Sequence, residues 1–148
     1  MGLTSDRDKK NLFGYLAREF ETLDERPIGE VDSLVLSCLS YYRWPGEEVR
    51  GPEGLPVREL FRAESFDAMT QGLWDPEGLV HLLASVAASP RFRDVRVCAY
   101  ADDFDESAEK QFSACTLLLP CGGAYLSFRG TDNTVVGWKE DFNMASID

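Results

Sequence analysis

The residues of this 148-residue chain best suited to chemistry lie at positions 124–144, AYLSFRGTDNTVVGWKEDFNM. An aliphatic and aromatic run breaks at Arg129-Gly130-Thr131-Asp132-Asn133, and a helix-compatible stretch follows. Gly130 lets the backbone turn tightly, so nearby N–H groups can point into a cleft. A strand-loop-helix turn of this form can hold an anion, because the first N–H groups of a helix lack intrahelical acceptors and carry partial positive charge. By composition alone a plain connection is the commoner reading, since Gly and Thr are frequent in such turns.

Partners for that turn are missing from the sequence. A nucleophilic serine on a strained strand-to-helix turn needs glycines two residues to either side, as in Gly-x-Ser-x-Gly, and no serine here has them. The one histidine, His81, falls one turn after Glu77 on the polar side of a predicted helix, a solvated position. Asp102, Asp103, Asp105 and Glu106 suggest calcium until the spacing is checked. A loop starting at Asp103 would need Gly at 108 and Glu at 114, where Ala108 and Ala114 stand, so a solvated acidic turn is expected. Cys38, Cys98, Cys115 and Cys121 form no Cys-x-x-Cys pair; they read as buried small side chains in a reducing, cytoplasmic compartment rather than as zinc ligands. No metal or organic cofactor is expected. Trp44 and Trp74, with Tyr41, Tyr42 and Phe66, read as core and lid packing rather than a ligand patch.

The elements that must position the turn fall into two halves. Residues 1–92 read as helical. After a short segment at 11–20, Val31, Leu34, Val35, Cys38, Leu39 and Tyr42 make one continuous helical stripe that Pro45-Gly46 stops. Residues 47–55 read as a surface loop. A short helix after Pro56 should turn Val57, Leu60 and Phe61 inward, and another covers 66–73. Asp75 is placed to cap a helix with Pro76 in its first turn and Leu79, Leu82, Leu83 and Val86 on its buried face; Ser89-Pro90 ends it. Beyond residue 93 strand-type residues take over, giving strands at 95–100, 112–119 and 124–128, with a turn through the acidic run 102–109. Their short connections favour a three-stranded antiparallel meander. Residues 134–144 can form a helix presenting Val135, Trp138 and Phe142. A sheet of three strands has two unprotected edges, so the fold reads as unfinished.

With 15 basic against 26 acidic residues, the chain carries a net charge of -11, which argues against nucleic acid as a partner. Its 44% hydrophobic and 11% aromatic content separates it from a disordered acidic tail. No apolar run reaches the ~18 residues that span a bilayer, and the first ten residues contain no secretory apolar region. Asp6 stands where an N-myristoylation pattern wants Ser or Thr.

The string FRGTDNTVVGWKEDFNM resembles the Phe-Arg-Gly-Thr/Ser … Trp … Asp signature of class 3 (fungal-type) lipases, and more closely a bacterial family of lipase-like α/β hydrolases. NLFGYLAREF and EVDSLVLSCLSYYRW resemble that family's opening helices and EKQFSACTLLLP its second strand. The resemblance runs from Asn11 to Met144 and is weaker over 47–73. It implies an incomplete α/β-hydrolase fold: a helical cap at 1–92, then at 93–148 the first strands, the oxyanion loop and the next helix. It implies that Thr131 lends its backbone N–H and hydroxyl to an oxyanion hole. Arg129 and Asp141 would be the charged pair bracing the loop around Gly130, and Trp138 the aromatic packed beneath it. Asp132 would cap the following helix or face solvent.

The family's Ser, Asp and His are expected past Asp148. The leading expectation is therefore an N-terminal portion of a lipase-like serine hydrolase acting on an ester or lipid. It would be inactive alone, and would be completed by the rest of its domain or would self-associate. The alternative is a stand-alone, non-catalytic binding module of the same fold.

Overall fold

The computed structural model describes residues 11–73, 75–105 and 110–129. Helices dominate its first half. Helix α1 (Leu12–Arg18) starts where the Asn11 side chain accepts the Gly14 N–H at 3.1 Å, and it buries Leu12, Tyr15 and Leu16, spaced to share one face. Helix α2 (Glu30–Cys38) runs into a 3-10 turn, Leu39–Tyr41. Val35, Cys38, Leu39 and Tyr42 of the expected stripe are buried together with Leu36, whereas Val31 and Leu34 are half-buried. The helical path ends ahead of Pro45 because tertiary bonds take over: the Arg43 N–H donates to Met69 O at 2.9 Å, and Trp44 Nε1 donates to Leu39 O at 2.8 Å.

Residues 47–55 depart from the expected surface loop. A 3-10 turn at Glu48–Arg50 buries Val49, and strand β1 (Leu55–Pro56) pairs antiparallel with β2 (Arg96–Asp105), Leu55 opposite Val97. Gly54 makes this approach possible. Its φ is +60°, and a Cβ there would meet Val97 O at 1.9 Å. Helix α3 (Val57–Leu60) buries Val57 and Leu60, but Phe61 is 36% exposed rather than inward, since the helix has ended before it. Helix α4 spans only Phe66–Met69. Helix α5 (Pro76–Ala88) follows the sequence closely: Asp75 accepts the Gly78 N–H at 3.1 Å, Pro76 opens the first turn, and Leu79, Leu82, Leu83 and Val86 are buried.

Among the described residues the sheet has four strands, not three, in the order β1-β2-β3-β4, with β3 Lys110–Leu118 and β4 Ala124–Arg129; every neighbouring pair is antiparallel. The acidic residues expected to turn at 102 instead extend β2 to Asp105, with Asp102 opposite Ser113 and Asp103 opposite Phe112. Hairpin pairing overrides the low strand preference of Asp.

One irregularity aims a side chain. Cys98 pairs with Thr116 and Ala101 with Ala114, so Ala99 and Tyr100 together face a single residue of β3. This bulge, with Ala99 at φ +48°, shifts the in-out alternation by one and turns Tyr100 inward.

A buried ion pair ties the helices together. Arg91 Nε and Nη2 donate to Asp32 Oδ1 and Oδ2 at 2.7 and 2.6 Å, and its remaining N–H groups reach the carbonyls of Glu21, Thr22, Arg26 and Pro27. Tyr15 Oη donates to the same carboxylate at 2.5 Å. Among the described residues no helix is long and apolar enough to cross a membrane.

Candidate functional site

The segment singled out by the sequence begins at Arg129, the last residue of β4, so β4 and what holds it come first. Alternate residues of β4 point to opposite faces. Tyr125, Ser127 and Arg129 face α2 and its 3-10 extension. Leu126 and Phe128 face the other way, 63% and 60% exposed, beside Phe112 at 40%. A row of hydroxyls fixes the inner face. Tyr125 Oη lies 2.8 and 3.0 Å from the hydroxyls of Ser33 and Ser37, Ser127 Oγ donates to Leu36 O at 3.1 Å, and Ser113 Oγ donates to Ser40 O at 2.8 Å. The two-residue repeat of the strand thus meets successive turns of the helix, and the next residue in line is Arg129.

Arg129 is 9% exposed, and its guanidinium stands over the Tyr41 ring, 5.6 Å from the centroid. Burial lowers its pKa, the neighbouring Arg43 guanidinium adds to that, and the phenols of Tyr41 and Tyr100 oppose it. Tyr100 comes from β2 through the bulge; burial, with Asp102 contributing, pushes its phenol up to about 12. Arg50 stands over that ring, 5.1 Å from its centroid, while donating to Asp102 at 2.8 Å. The last described residue of the chain is therefore a buried cation stacked on an aromatic ring.

Of the residues expected to form the site, Arg129 is the one the structure places. Gly130, Thr131, Asp132, Trp138 and Asp141 lie outside the described residues, as does Trp74. His81 is exposed on α5 as expected, with its ring stacked on Phe13 at 4.4 Å, and Ser85 Oγ donates to the His81 main-chain carbonyl rather than to the ring. Among the described residues no His, Cys, Asp and Glu side chains cluster as a metal site. Cys38, Cys98 and Cys115 are buried, but Cys121 is exposed in the turn after β3, against the expectation that all four pack inside. Tyr42 and Trp44 pack together in the core at 5.2 Å between centroids. Tyr41, Arg43 and Tyr100 were not expected around Arg129. Tyr100 faces it because of the bulge, which has no signature in the residue types.

A family model described as Mbeg1-like, a lipase-like family, matches residues 86–148. Those residues run from the end of α5 through β2, β3 and β4 and include the Arg-Gly-Thr sequence. No curated protein and no solved structure matches the chain.

Proposed function

We propose, from the premise of that lipase-like match over residues 86–148, that the chain is the N-terminal part of a serine hydrolase of α/β-hydrolase type acting on carboxylic esters or lipids. Its contribution is the oxyanion loop after β4. Thr131 aims its N–H and hydroxyl at the carbonyl oxygen, where negative charge develops during attack; one such donor is worth about 3–4 kcal/mol in the transition state. Arg129 and Asp141 brace the loop on either side, Trp138 packs beneath it, and Asp132 caps the helix that follows or faces solvent. The buried seat of Arg129 supports this reading, because a donor array must be rigid before substrate arrives. Nucleophile, acid and base come from polypeptide beyond Asp148. Without them the loop has no covalent step to accelerate, so residues 1–148 alone hydrolyse nothing above background.

Fluorophosphonate labelling tests this on the polypeptide as its gene encodes it. One serine, in a Gly-x-Ser-x-Gly following Asp148, takes the label, and the 148-residue chain takes none. Labelling within residues 1–148 contradicts the assignment.

The exposed apolar side chains on one face of β4 favour a second reading, a non-catalytic module that pairs with another chain through this sheet. A stop codon directly after Asp148 in the intact gene, with no labelled serine, supports that alternative.

A further inference from the structure

A long arginine side chain loses much rotamer freedom when it is held in one place, so a neighbour has to select its position. For Arg129 that neighbour comes from the 3-10 turn Leu39–Tyr41, whose last residue meets the guanidinium with its ring, 5.6 Å from the centroid. The chain is pinned on both sides of Tyr41. Ser40 O accepts the Ser113 hydroxyl at 2.8 Å, and Ser40 Oγ donates to Ser37 O at 2.9 Å, so Ser40 joins α2 to β3. Tyr42 is buried and donates its hydroxyl to Leu79 O of α5, and the Arg43 N–H donates to Met69 O at 2.9 Å. Ser113 lies directly opposite Arg129 in the β3–β4 register. One strand position therefore fixes both halves of the stack: Ser113 holds the turn that carries Tyr41 and pairs with the residue that Tyr41 meets.

We propose that Tyr41 is a positioning residue for the ester hydrolysis described above: its ring holds the Arg129 guanidinium in one orientation, and it acts on the reaction through Arg129. The inference rests on the hydrolase reading, in which Arg129 braces the oxyanion donors. Such donors are effective because they need no rearrangement as charge develops, and a brace that samples several rotamers weakens that advantage. The ring is the active part of Tyr41, since a cation is drawn to the π face, which phenylalanine offers as well.

The experiment measures the rate constant at which a fluorophosphonate labels the polypeptide as its gene encodes it, together with kcat and KM for an ester. Loss of folded protein lowers the labelled amount and not the rate constant, so the two effects are read separately. Tyr41→Leu slows labelling and lowers kcat about tenfold with KM little changed, and Tyr41→Phe, which keeps the ring, restores both. In an Arg129→Met background Tyr41→Leu has no further effect, because the stack is already gone. Tyr41→Gln, suited to a half-buried position, carries the same test if Tyr41→Leu does not fold. Labelling of the ring-less variant at the wild-type rate overturns the proposal and leaves the hydrolase reading standing. So does equal slowing by Tyr41→Phe, or a Tyr41→Leu effect undiminished beside Arg129→Met. A wild-type polypeptide that takes no label refutes the hydrolase reading itself, and this inference with it.

Discussion

Arg91 spends all of its guanidinium donors on acceptors within the protein, and it holds the connection between α1 and α2 against the segment after α5. Both charged side chains of the Arg91–Asp32 pair are fully buried. Removing one partner would strand the other without water, which costs far more than the pair contributes against an apolar substitute. Asp32→Ala should therefore destabilise the chain by about 3–5 kcal/mol in urea unfolding; a loss below 1 kcal/mol would show that the guanidinium finds solvent. Burial by itself raises the Asp32 carboxyl, but hydrogen bonds from Arg91, Tyr15 and the Gly29 N–H carry it net below its ordinary 3.8. A carboxyl with a depressed folded pKa stabilises fully above its unfolded value, and that stability is lost as pH falls through the folded one. Unfolding free energy should thus fall below about pH 4 more steeply in wild type than in Asp32→Asn; parallel acid limbs would contradict the assignment. None of this network is legible in the sequence. Its members are 59 positions apart, and an Arg after Ser-Pro looks like a surface residue. Arg129 was singled out by its residue type and neighbours in the sequence, and it is buried at the end of β4.

Elements with local signals were legible, and those made by long-range pairing were not. Asp75, Pro76 and the apolar spacing of α5 agree with one another, and the helix runs as they require. Asp75→Ala should cost about 1 kcal/mol, the usual value of a cap, with a far-UV helical signal retained until unfolding. The two-residue β1 has no periodicity to find; it exists because Gly54 lets the backbone lie against Val97. Gly54→Ala should be worse than the cap deletion, since a left-handed φ alone costs an alanine about 1–2 kcal/mol and the Val97 carbonyl leaves no room for the Cβ. Equal urea midpoints for the two variants would mean that β1 yields easily. The bulge in β2 is the third element that pattern reading misses. One extra residue reverses which side chains face inward, and strict alternation would send Tyr100 to the outer face, away from Arg129.

For the molecule as a whole, the sheet divides a covered face from an open one. α2 lies on the covered face through hydroxyl groups, while Phe112, Leu126 and Phe128 show their rings and branches on the other. Adding charge there should leave the core untouched, because these side chains belong to no buried cluster. Leu126→Glu with Phe128→Glu is expected to keep the urea midpoint within about 0.5 kcal/mol of wild type and to lower any self-association seen by sedimentation. A large loss of stability would mean the face is already filled. The mixed helix and sheet class and the antiparallel pairing were readable from composition shifts along the chain; the strand count was not. Ester turnover by the polypeptide as its gene encodes it tests the oxyanion role proposed for Thr131. Thr131→Val removes the hydroxyl and keeps the N–H. In that variant kcat/KM should fall by about 10²-fold or more, with unfolding and substrate binding little changed. Turnover equal to wild type in that variant would contradict it.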